Sequence, residues 1–298
     1  MPDTRVEVCE NGSGDDSALR IGHAIEANGW RGWCSLMASE TNLGFTGGNN
    51  VLIRPALGSA QPPDYVLLLN PDTVVRPNAI KALVDFMEQN PKVGIAGRRL
   101  EDPDGTPQRS AFRFQSAASG FEGSLRLGLV SRLLSRWIVA PTVVNEPIPT
   151  DWVAGASMIV RRQVFENIGL LDEGYFTYFD DIDFCFNAKK KGWPTWYVPS
   201  SRVVHLVGQS TGVNRTPRRL PAYMLEARRR YFLKNHGALY AALVDGCTLA
   251  GLALFGLRNR MSKRKGQTIP HVLGDHFRHS VFTRGFDVPI VQAPTVKT

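Results

Sequence analysis

Two clusters of oxygen-bearing side chains in this sequence have the spacing to do chemistry together. In the first, Asn70 and Asp72 follow the apolar run 65–69, which predicts a buried strand of a parallel sheet that ends at Pro71 because proline has no N–H to donate. Ligands bind at the carboxyl ends of strands in open α/β sheets, and two oxygen ligands can converge there on a hard divalent cation. The pattern predicts a metal site, while an ordinary Asn-Pro-Asp turn leading into a helix near Pro77 stays open.

The second cluster is acidic and follows the aromatic loop 174–179. Asp180, Asp181 and Asp183 stand at the start of a predicted helix, where one carboxylate is an ordinary cap for free N–H groups. Three acids are more than a cap needs, and a carboxyl group held beside aromatic rings and other carboxylates has a raised pKa. Such a group can accept a proton, so the pattern also predicts a general base.

Small residues and a single histidine complete the candidate site. The glycine-rich loop 42–50 would let backbone N–H groups approach a phosphate or sugar, although it matches no phosphate-binding fingerprint and simple tight-turn chemistry stays open. The turn 154–156 has the same small-residue character, with close strand packing as the alternative. His205 lies in an apolar strand and is most simply a core residue, unless it lies beside Asp72.

Alternating strands and helices must position these residues. The sequence predicts strands at 6–9, within 30–37, and at 65–69, 93–97, 193–198 and 202–207, and within 152–160 a small-residue turn that leads into a buried strand. It predicts helices at 17–28, from the loop 42–50 to about 57, and at 78–89, 125–137, 161–169, 180–190 and 223–235. The stretch 238–257 is apolar but contains Asp245, which disfavours a membrane span. An interfacial helix with a polybasic flank and a helix packed on the main domain are both open.

Bulk properties set the class of protein. The 298 residues are 43% hydrophobic and 21% charged, which is typical of a globular chain. A formal charge of +8 favours an anionic partner, but no basic motif with interleaved aromatic residues points to nucleic acid. Four scattered cysteines without a CxxC pair, together with a polar N-terminus that lacks a signal peptide, predict a cytoplasmic location.

The order of these motifs resembles the family 2 glycosyltransferases of the GT-A fold, in particular the bacterial rhamnosyltransferase-like branch. The resemblance covers roughly residues 5–235. Six segments carry it in order: Glu10-Asn11-Gly12-Ser13, Asn42-Leu43-Gly44-Phe45 with Gly47-Gly48-Asn49, Leu69-Asn70-Pro71-Asp72, Asp151 to Ala156, Phe179-Asp180-Asp181-Ile182-Asp183, and His205. It implies an α/β fold, GT-A and Rossmann-like, with a mostly parallel sheet flanked by helices and a C-terminal helical region.

The resemblance assigns roles to individual residues. It implies Mg²⁺ or Mn²⁺ held by Asp72 and His205, and a catalytic base at Asp181 or, as second choice, Asp180. The positions that match the donor side are Glu10, Asn11, Asn42, Gly44, Gly47, Asn70 and Asp72. Those expected on the acceptor side are Trp152, Gly155, Ala156 and Tyr178.

The implied function is inverting transfer of a sugar, with rhamnose one candidate, from a nucleotide diphosphate to a lipid-linked or polysaccharide acceptor. The catalytic domain would span 1–212, and a basic helical region over 213–298 would contact the inner face of the cytoplasmic membrane. Family members begin with one more βα unit, for which there is no room before Val6. Either the start codon is placed too far downstream or the protein is an impaired or partnered form. A non-catalytic protein that binds nucleotide sugar or a membrane surface is the alternative.

Overall fold

Helices and strands alternate through most of the chain in a computed structural model that describes residues 4–206, 219–262 and 269–292. The strands are β1 (Val6–Asn11), β2 (Cys34–Ser39), β3 (Tyr65–Leu69), β4 (Thr73–Val75), β5 (Ile95–Glu101), β6 (Ala111–Phe112), β7 (Ile148–Thr150), β8 (Trp152–Val153), β9 (Ser157–Arg161) and β10 (Thr195–His205). The helices are α1 (Ser17–Ala27), α2 (Gly44–Leu57), α3 (Ala79–Gln89), α4 (Ala117–Leu125), α5 (Gly128–Leu133), α6 (Arg162–Ile168), α7 (Asp180–Lys190), α8 (Ala222–Ser262), α9 (Val272–Arg278) and α10 (Val281–Arg284).

The strands form a mixed sheet rather than the mostly parallel one expected. The path of hydrogen-bonded neighbours is β3-β9-β5-β10-β4, and β7 also pairs with β10. Strand β9 runs antiparallel to both β3 and β5, while β10 is parallel to β5, as β1 is to β2 in a separate pair. Strand β3 therefore ends this path instead of lying inside a parallel sheet, and Leu69 is exposed. The α/β class itself is confirmed.

Helices cover both faces of the six-stranded sheet. Strand β5 shows the period of two, because Ile95 packs in the cluster with α6 and α7 while its neighbour Ala96 packs in the cluster with α3. Leu83 and Met87 of α3 are fully buried there, as the predicted apolar spacing of that helix requires. Burial on both faces fixes the register of the strands, and with it the residues at their ends.

Several predicted elements have different bounds in the structure. The predicted strand 30–37 begins with a 3₁₀ turn at Trp30–Gly32, and its extended part is β2. Helix α2 begins at Gly44, so most of the predicted glycine-rich loop is helical. The predicted helix 125–137 is broken at Arg126, whose φ of 50° ends α4 before α5 starts. The two predicted strands around 200 are one strand, β10, with a register shift between Val198 and Arg202. Val207, predicted in the second of them, lies outside the described residues.

The long helix α8 is kinked at Gly237, where φ is 78° and ψ is 174°. Its first half carries the basic run 228–230, which is paired inside the protein rather than presented as a basic surface. Arg228 pairs with Asp245, Arg229 with Glu226, and Arg230 with Asp172. The first half of α8 is therefore built into the same fold as the sheet.

Candidate active site

A carboxylate and an imidazole meet at the end of strand β4. Because β4 pairs antiparallel with β10, Thr73 faces His205, and the backbone carbonyl of Asp72 accepts a hydrogen bond from the Leu206 N–H at 2.9 Å. This places Asp72 Oδ1 3.4 Å from His205 Nε2, with only 11% and 15% of the two side chains exposed. His205 therefore lies beside Asp72, and this position favours a role in the site over that of an ordinary core residue.

The Asp72 carboxylate has an unsatisfied oxygen. Oδ1 is buried and has no hydrogen-bond partner within the described parts of the chain. A buried carboxylate oxygen without a donor or cation costs free energy, so this atom has the chemistry of a cation ligand. In the described parts of the chain, no three or more His, Cys, Asp or Glu side chains lie close enough together to hold a metal ion. The Asp72 carboxylate nevertheless fits a Mg²⁺- or Mn²⁺-type ion that completes its shell with substrate phosphates and water, whereas the His205 imidazole is a ligand that softer divalent ions prefer.

The start of α7 has a strained backbone. Tyr178 and Phe179 have φ of 66° and 63°, the left-handed region that non-glycine residues rarely adopt. Such residues cost about 1–3 kcal/mol each and persist where the surroundings hold them. Aromatic contacts supply that support, since Tyr178 stacks on Tyr223 and Phe179 packs against Tyr231. The strained turn fixes the backbone position from which the side chains of Asp180 and Asp181 extend. Adjacent strained residues of this kind are typical of functional sites.

Asp181 is held by two backbone N–H groups. Its Oδ2 accepts from Gly155 at 3.1 Å and its Oδ1 from Ile182 at 2.9 Å. Burial raises the pKa of Asp181 to about 6, and the backbone hydrogen bonds oppose that rise. The carboxylate is therefore ionised at neutral pH yet more basic than an ordinary aspartate, which suits a general base.

Asp180 is the less suitable of the two predicted bases. It is 5% exposed, whereas Asp181 is only partly buried. Burial, and then the nearby charge of Asp181, raises the pKa of Asp180 well above the usual range. Since an acceptor hydroxyl must come within hydrogen-bond reach of the base, geometry favours Asp181.

The third acid of the cluster, Asp183, is tied to helix α8. Lys234 Nζ donates to its Oδ2 at 2.7 Å, Asn235 Nδ2 to its Oδ1 at 2.6 Å, and the Tyr175 hydroxyl to Oδ1 at 3.2 Å. Lys234 also donates to Asp172 at 2.7 Å. Sequence reasoning missed these partners, and its one available signal was a third acid beyond the needs of a cap. Asp183 anchors the first turn of α7 rather than serving as a base.

A small-residue turn joins the two ends of the site. The Asn70 N–H donates to the Ala156 carbonyl at 2.9 Å, and the preceding residue, Gly155, donates to Asp181. A Cβ at Gly155 would lie 3.0 Å from the Phe45 ring, so this backbone is closely packed. Consecutive residues of one turn thus contact both the turn that carries Asp72 and the candidate base.

The predicted donor-side residues form a clamp at the start of α2. Asn11 Nδ2 donates to the Gly44 carbonyl at 2.9 Å, and Asn11 Oδ1 accepts from the Leu43 N–H at 3.0 Å. Asn42 Oδ1 accepts from the Gly44 N–H at 2.9 Å. Gly44 has φ of 72°, and a Cβ there would lie 2.3 Å from the Phe176 carbonyl oxygen. Packing of the chain accounts for this glycine, and a donor role for it stays a prediction.

Two further donor-side predictions, Glu10 and Gly47, lie in the same region. Glu10 Oε1 accepts from the Ser13 N–H at 2.7 Å, and hydrogen bonds from Ser13 lower the pKa of that carboxyl. A Cβ at Gly47 would lie 2.9 Å from the Leu43 Cβ. No hydrogen bond or ion pair between described residues joins Glu10 to Asp72 or Asp181. Glu10 is therefore bonded within its own turn, while its neighbour Asn11 links the end of β1 to the start of α2.

The predicted acceptor side is aromatic. Trp152 stacks on Phe112 with ring centroids 4.2 Å apart and donates its indole N–H to the Arg113 carbonyl at 3.0 Å. Tyr178 lies against Tyr223, with centroids 5.9 Å apart. The polar group of Trp152 is used inside the protein, so this residue can contribute a wall but no indole hydrogen bond to a sugar.

The sequence is similar to a glycosyltransferase family model and to proteins that are named as rhamnosyltransferases. A family model described as "Glycosyltransferase like family 2" matches residues 2–232. The chain is 32% identical over 224 residues to an N-acetylglucosaminyl-diphospho-decaprenol L-rhamnosyltransferase of Mycobacterium tuberculosis, covering 70% of this chain and 66% of that protein. It is 28% identical over 165 residues to rhamnosyltransferase WbbL of Escherichia coli K12, covering 54% and 60%. The chain thus spans less than two thirds of the length of these relatives.

Solved structures share the fold at low sequence identity. Two of them are GalNAc-T7 with UDP, GalNAc and Mn²⁺, and the mannosyltransferase PcManGT of Pyrobaculum calidifontis with GDP-Man and Mn²⁺. The first has a TM-score of 0.54 and 14% identity, covering 93% of this chain and 48% of that one. The second has a TM-score of 0.50 and 12% identity, covering 94% and 74%. These likenesses concern the fold alone, which is GT-A.

Proposed function

This chain belongs to glycosyltransferase family 2, and on that premise we propose that it moves a sugar from a nucleotide diphosphate to an acceptor hydroxyl with inversion at the anomeric carbon. One observation carries the proposal. Asp181, whose pKa is raised to about 6, accepts a hydrogen bond from the N–H of Gly155. The next residue, Ala156, accepts a hydrogen bond from the N–H of Asn70, which lies two residues before Asp72. The candidate base and the turn that carries Asp72 therefore both contact the turn 154–156.

The proposed step uses Asp181 as the base. Its carboxylate takes the proton of the acceptor hydroxyl as that oxygen forms a bond to the anomeric carbon. The bond from the anomeric carbon to the phosphate oxygen breaks, and its electron pair leaves with the nucleotide diphosphate. The Gly155 N–H and the strained Tyr178–Phe179 turn keep the carboxylate in place for this transfer.

Asp72 and His205 would hold a divalent cation, Mg²⁺ or Mn²⁺. The support is the unsatisfied buried Oδ1 of Asp72, 3.4 Å from the imidazole. When bound, such an ion would offset the negative charge that develops on the leaving nucleotide diphosphate. On the donor side, Asn11 and Asn42 shape the entry to α2 through their hydrogen bonds to residues 43–44.

For the substrates we propose rhamnose as the sugar and a polyprenyl-diphosphate-linked sugar as the acceptor. The support is that two relatives are named as rhamnosyltransferases, one of which is named for an acceptor of that class. A lipid-linked acceptor favours a cytoplasmic enzyme that works at the inner face of the membrane. We also propose residues 1–212 as the catalytic domain and 213–298 as a helical region that supports it, since α8 holds Asp183 through Lys234.

A transfer assay tests the proposal. Purified protein is incubated with labelled nucleotide-diphosphate rhamnose, Mn²⁺ and a synthetic lipid-diphosphate N-acetylglucosamine, and the product is extracted and its anomeric configuration read by NMR. We expect acceptor-dependent release of nucleotide diphosphate and a product of inverted configuration. A retained configuration would contradict the mechanism. Binding of nucleotide sugars without turnover of any donor would instead favour the non-catalytic alternative.

A further inference from the structure

The second half of α8 exposes a row of apolar side chains. After the Gly237 kink, Leu239 is 91% exposed and Leu243 53%, and further along the helix Leu254 and Leu257 are also exposed. At 100° per residue these four positions fall within one narrow stripe of the helix. We call these four leucines, together with Phe282, the apolar face.

Phe282 extends this stripe from a neighbouring helix. A Cβ at Gly246, which lies in the same stripe of α8, would be 4.0 Å from the Phe282 ring, so the ring lies over this part of the helix. Phe282 is 54% exposed, Phe277 55% and Phe286 53%. Of the 15 phenylalanines in the chain, all within the described residues, these are the three that are exposed. Exposed phenylalanine is thus confined to the segment beside the apolar face.

The opposite side of the second half of α8 packs against α4, so separating this helix from the rest of the protein would cost free energy. A Cβ at Gly251 would lie 2.8 Å from the Phe121 carbonyl oxygen, and one at Gly120 would lie 2.7 Å from Thr248 Oγ1. Asp245 pairs with Arg228 and accepts from the Val281 N–H at 2.8 Å. By length and composition alone, Ala222–Met261 is the one helix among the described residues that could cross a membrane. Its close contacts with α4 favour a helix that lies on a surface instead.

The charge of the chain is concentrated at this end. Residues 213–298 contain 15 Lys and Arg against 4 Asp and Glu, a net charge of +11. Residues 1–212 contain 20 against 23, a net charge of −3. Among these cationic residues, Arg260 is exposed three residues after Leu257, and Arg278 and Arg284 are exposed on either side of Phe282 in the sequence. An apolar stripe with a basic surround complements an anionic bilayer, because the leucines and phenylalanine enter the headgroup boundary while arginines meet lipid phosphates.

We infer that the apolar face docks the enzyme on an anionic lipid surface, with the second half of α8, after the Gly237 kink, lying along the membrane. The inference rests on the proposed function and deepens it, because it assigns the surface at which the enzyme would meet a lipid-linked acceptor. The exposed Arg260 and Arg278 disfavour a second copy of the same face as the occupant, since like charges would then be brought together.

Sedimentation with lipid vesicles tests the inference. Vesicles of phosphatidylcholine with phosphatidylglycerol should bind the full chain, and vesicles of phosphatidylcholine alone should bind it less. The variant Leu239→Ser/Leu243→Ser/Phe282→Ser should bind at least about tenfold more weakly, because exposed side chains that enter the lipid are lost. Arg260→Gln/Arg278→Gln should weaken binding to the anionic vesicles in a salt-dependent way. The matched control is Leu19→Ser/Val74→Ser, which removes exposed apolar side chains elsewhere and should leave binding unchanged.

The outcomes separate this inference from the proposed function. Equal vesicle binding by the apolar-face variant and wild type, or no binding by either, would overturn it. A wild-type dimer that becomes a monomer in the apolar-face variant would identify a second copy as the occupant and also overturn it. The apolar-face variant should transfer sugar to a short, water-soluble acceptor analogue at the wild-type rate. If the wild-type protein binds vesicles but transfers no sugar to this analogue, the result would count against the proposed function and not against the membrane inference.

Discussion

The backbone N–H of Gly155 donates a hydrogen bond to Oδ2 of Asp181 at 3.1 Å. This contact crosses from the turn before β9 to the first turn of α7, and it holds a half-buried carboxylate that has no basic side chain within ion-pair distance among the described residues. An aspartate stabilised by backbone dipoles alone can keep a raised pKa, whereas an arginine or lysine partner would lower it.

The first prediction concerns pH. Because Asp181 must be ionised to accept a proton and its pKa is about 6, transfer should rise about tenfold per pH unit below that value and level off above it. The measurement is kcat/KM for sugar transfer across the range from about pH 5 to about pH 9, with protein stability checked at each pH. A rate already independent of pH near pH 5 would contradict the assignment.

The second prediction concerns Lys234. Lys234→Met leaves the Asp183 carboxylate, 4% exposed, without its cationic partner, so we expect a loss of about 3 kcal/mol in the free energy of unfolding and a lower kcat. Denaturant unfolding measures the first and the transfer assay the second. In an Asp183→Asn background the same change should cost much less, because no buried charge is left unpaired.

The matched control for Lys234 is Lys81→Met. It breaks an ion pair with Asp85 in which the side chains are 64% and 47% exposed, and exposed pairs of this kind contribute about 0–1 kcal/mol. If both lysine variants lose the same small amount of stability and keep full activity, the anchoring role of Lys234 is wrong.

The third prediction concerns the metal. Mn²⁺ should tighten nucleotide diphosphate binding by at least about tenfold in wild type, and Asp72→Asn or His205→Ala should remove most of that gain. Calorimetric titration with and without Mn²⁺ measures it. Asp85→Asn, on exposed surface, is the control and should behave as wild type. A wild-type affinity that is identical with and without Mn²⁺ would exclude the proposed role of the pair.

The fourth prediction separates backbone strain from packing at two glycines. Gly44 and Gly14 have similar φ, 72° and 75°, but a Cβ at Gly44 would meet the Phe176 carbonyl oxygen at 2.3 Å while one at Gly14 would meet nothing within 4 Å. Gly14→Ala should cost about 1–2 kcal/mol of unfolding free energy for the left-handed backbone, and Gly44→Ala clearly more. Equal losses of unfolding free energy in the two variants would show that the contact with Phe176 does not contribute to the cost of Gly44→Ala.

Local motifs were predictable from the sequence where short-range chemistry decides the outcome. The end of β3 before Pro71 and the start of α7 at Asp180 follow from proline and from apolar spacing, and both lie where they were predicted. The sequence alone does not predict that His205 lies beside Asp72, because the pairing of β4 with β10 decides it.

Other features depend on contacts between distant parts of the chain. Pro199 and two serines look like a strand break, yet the Ser201 hydroxyl donates to the Ala79 carbonyl at 2.7 Å and the strand continues through a bulge. Helix α2 begins in glycines because Phe176 and Asn11 hold its first turn, overriding a poor helix propensity. The Asp183–Lys234 contact joins residues 51 positions apart, and local patterns do not fix how α8 lies against α7.

The most direct measurement is transfer by Asp181→Asn beside its donor affinity. The substitution keeps the size of the side chain and removes the proton acceptor, so kcat should fall by about 10²- to 10⁴-fold while the affinity for nucleotide diphosphate with Mn²⁺ stays within about twofold of wild type. A variant that transfers sugar at close to the wild-type rate would contradict the central claim that Asp181 is the base.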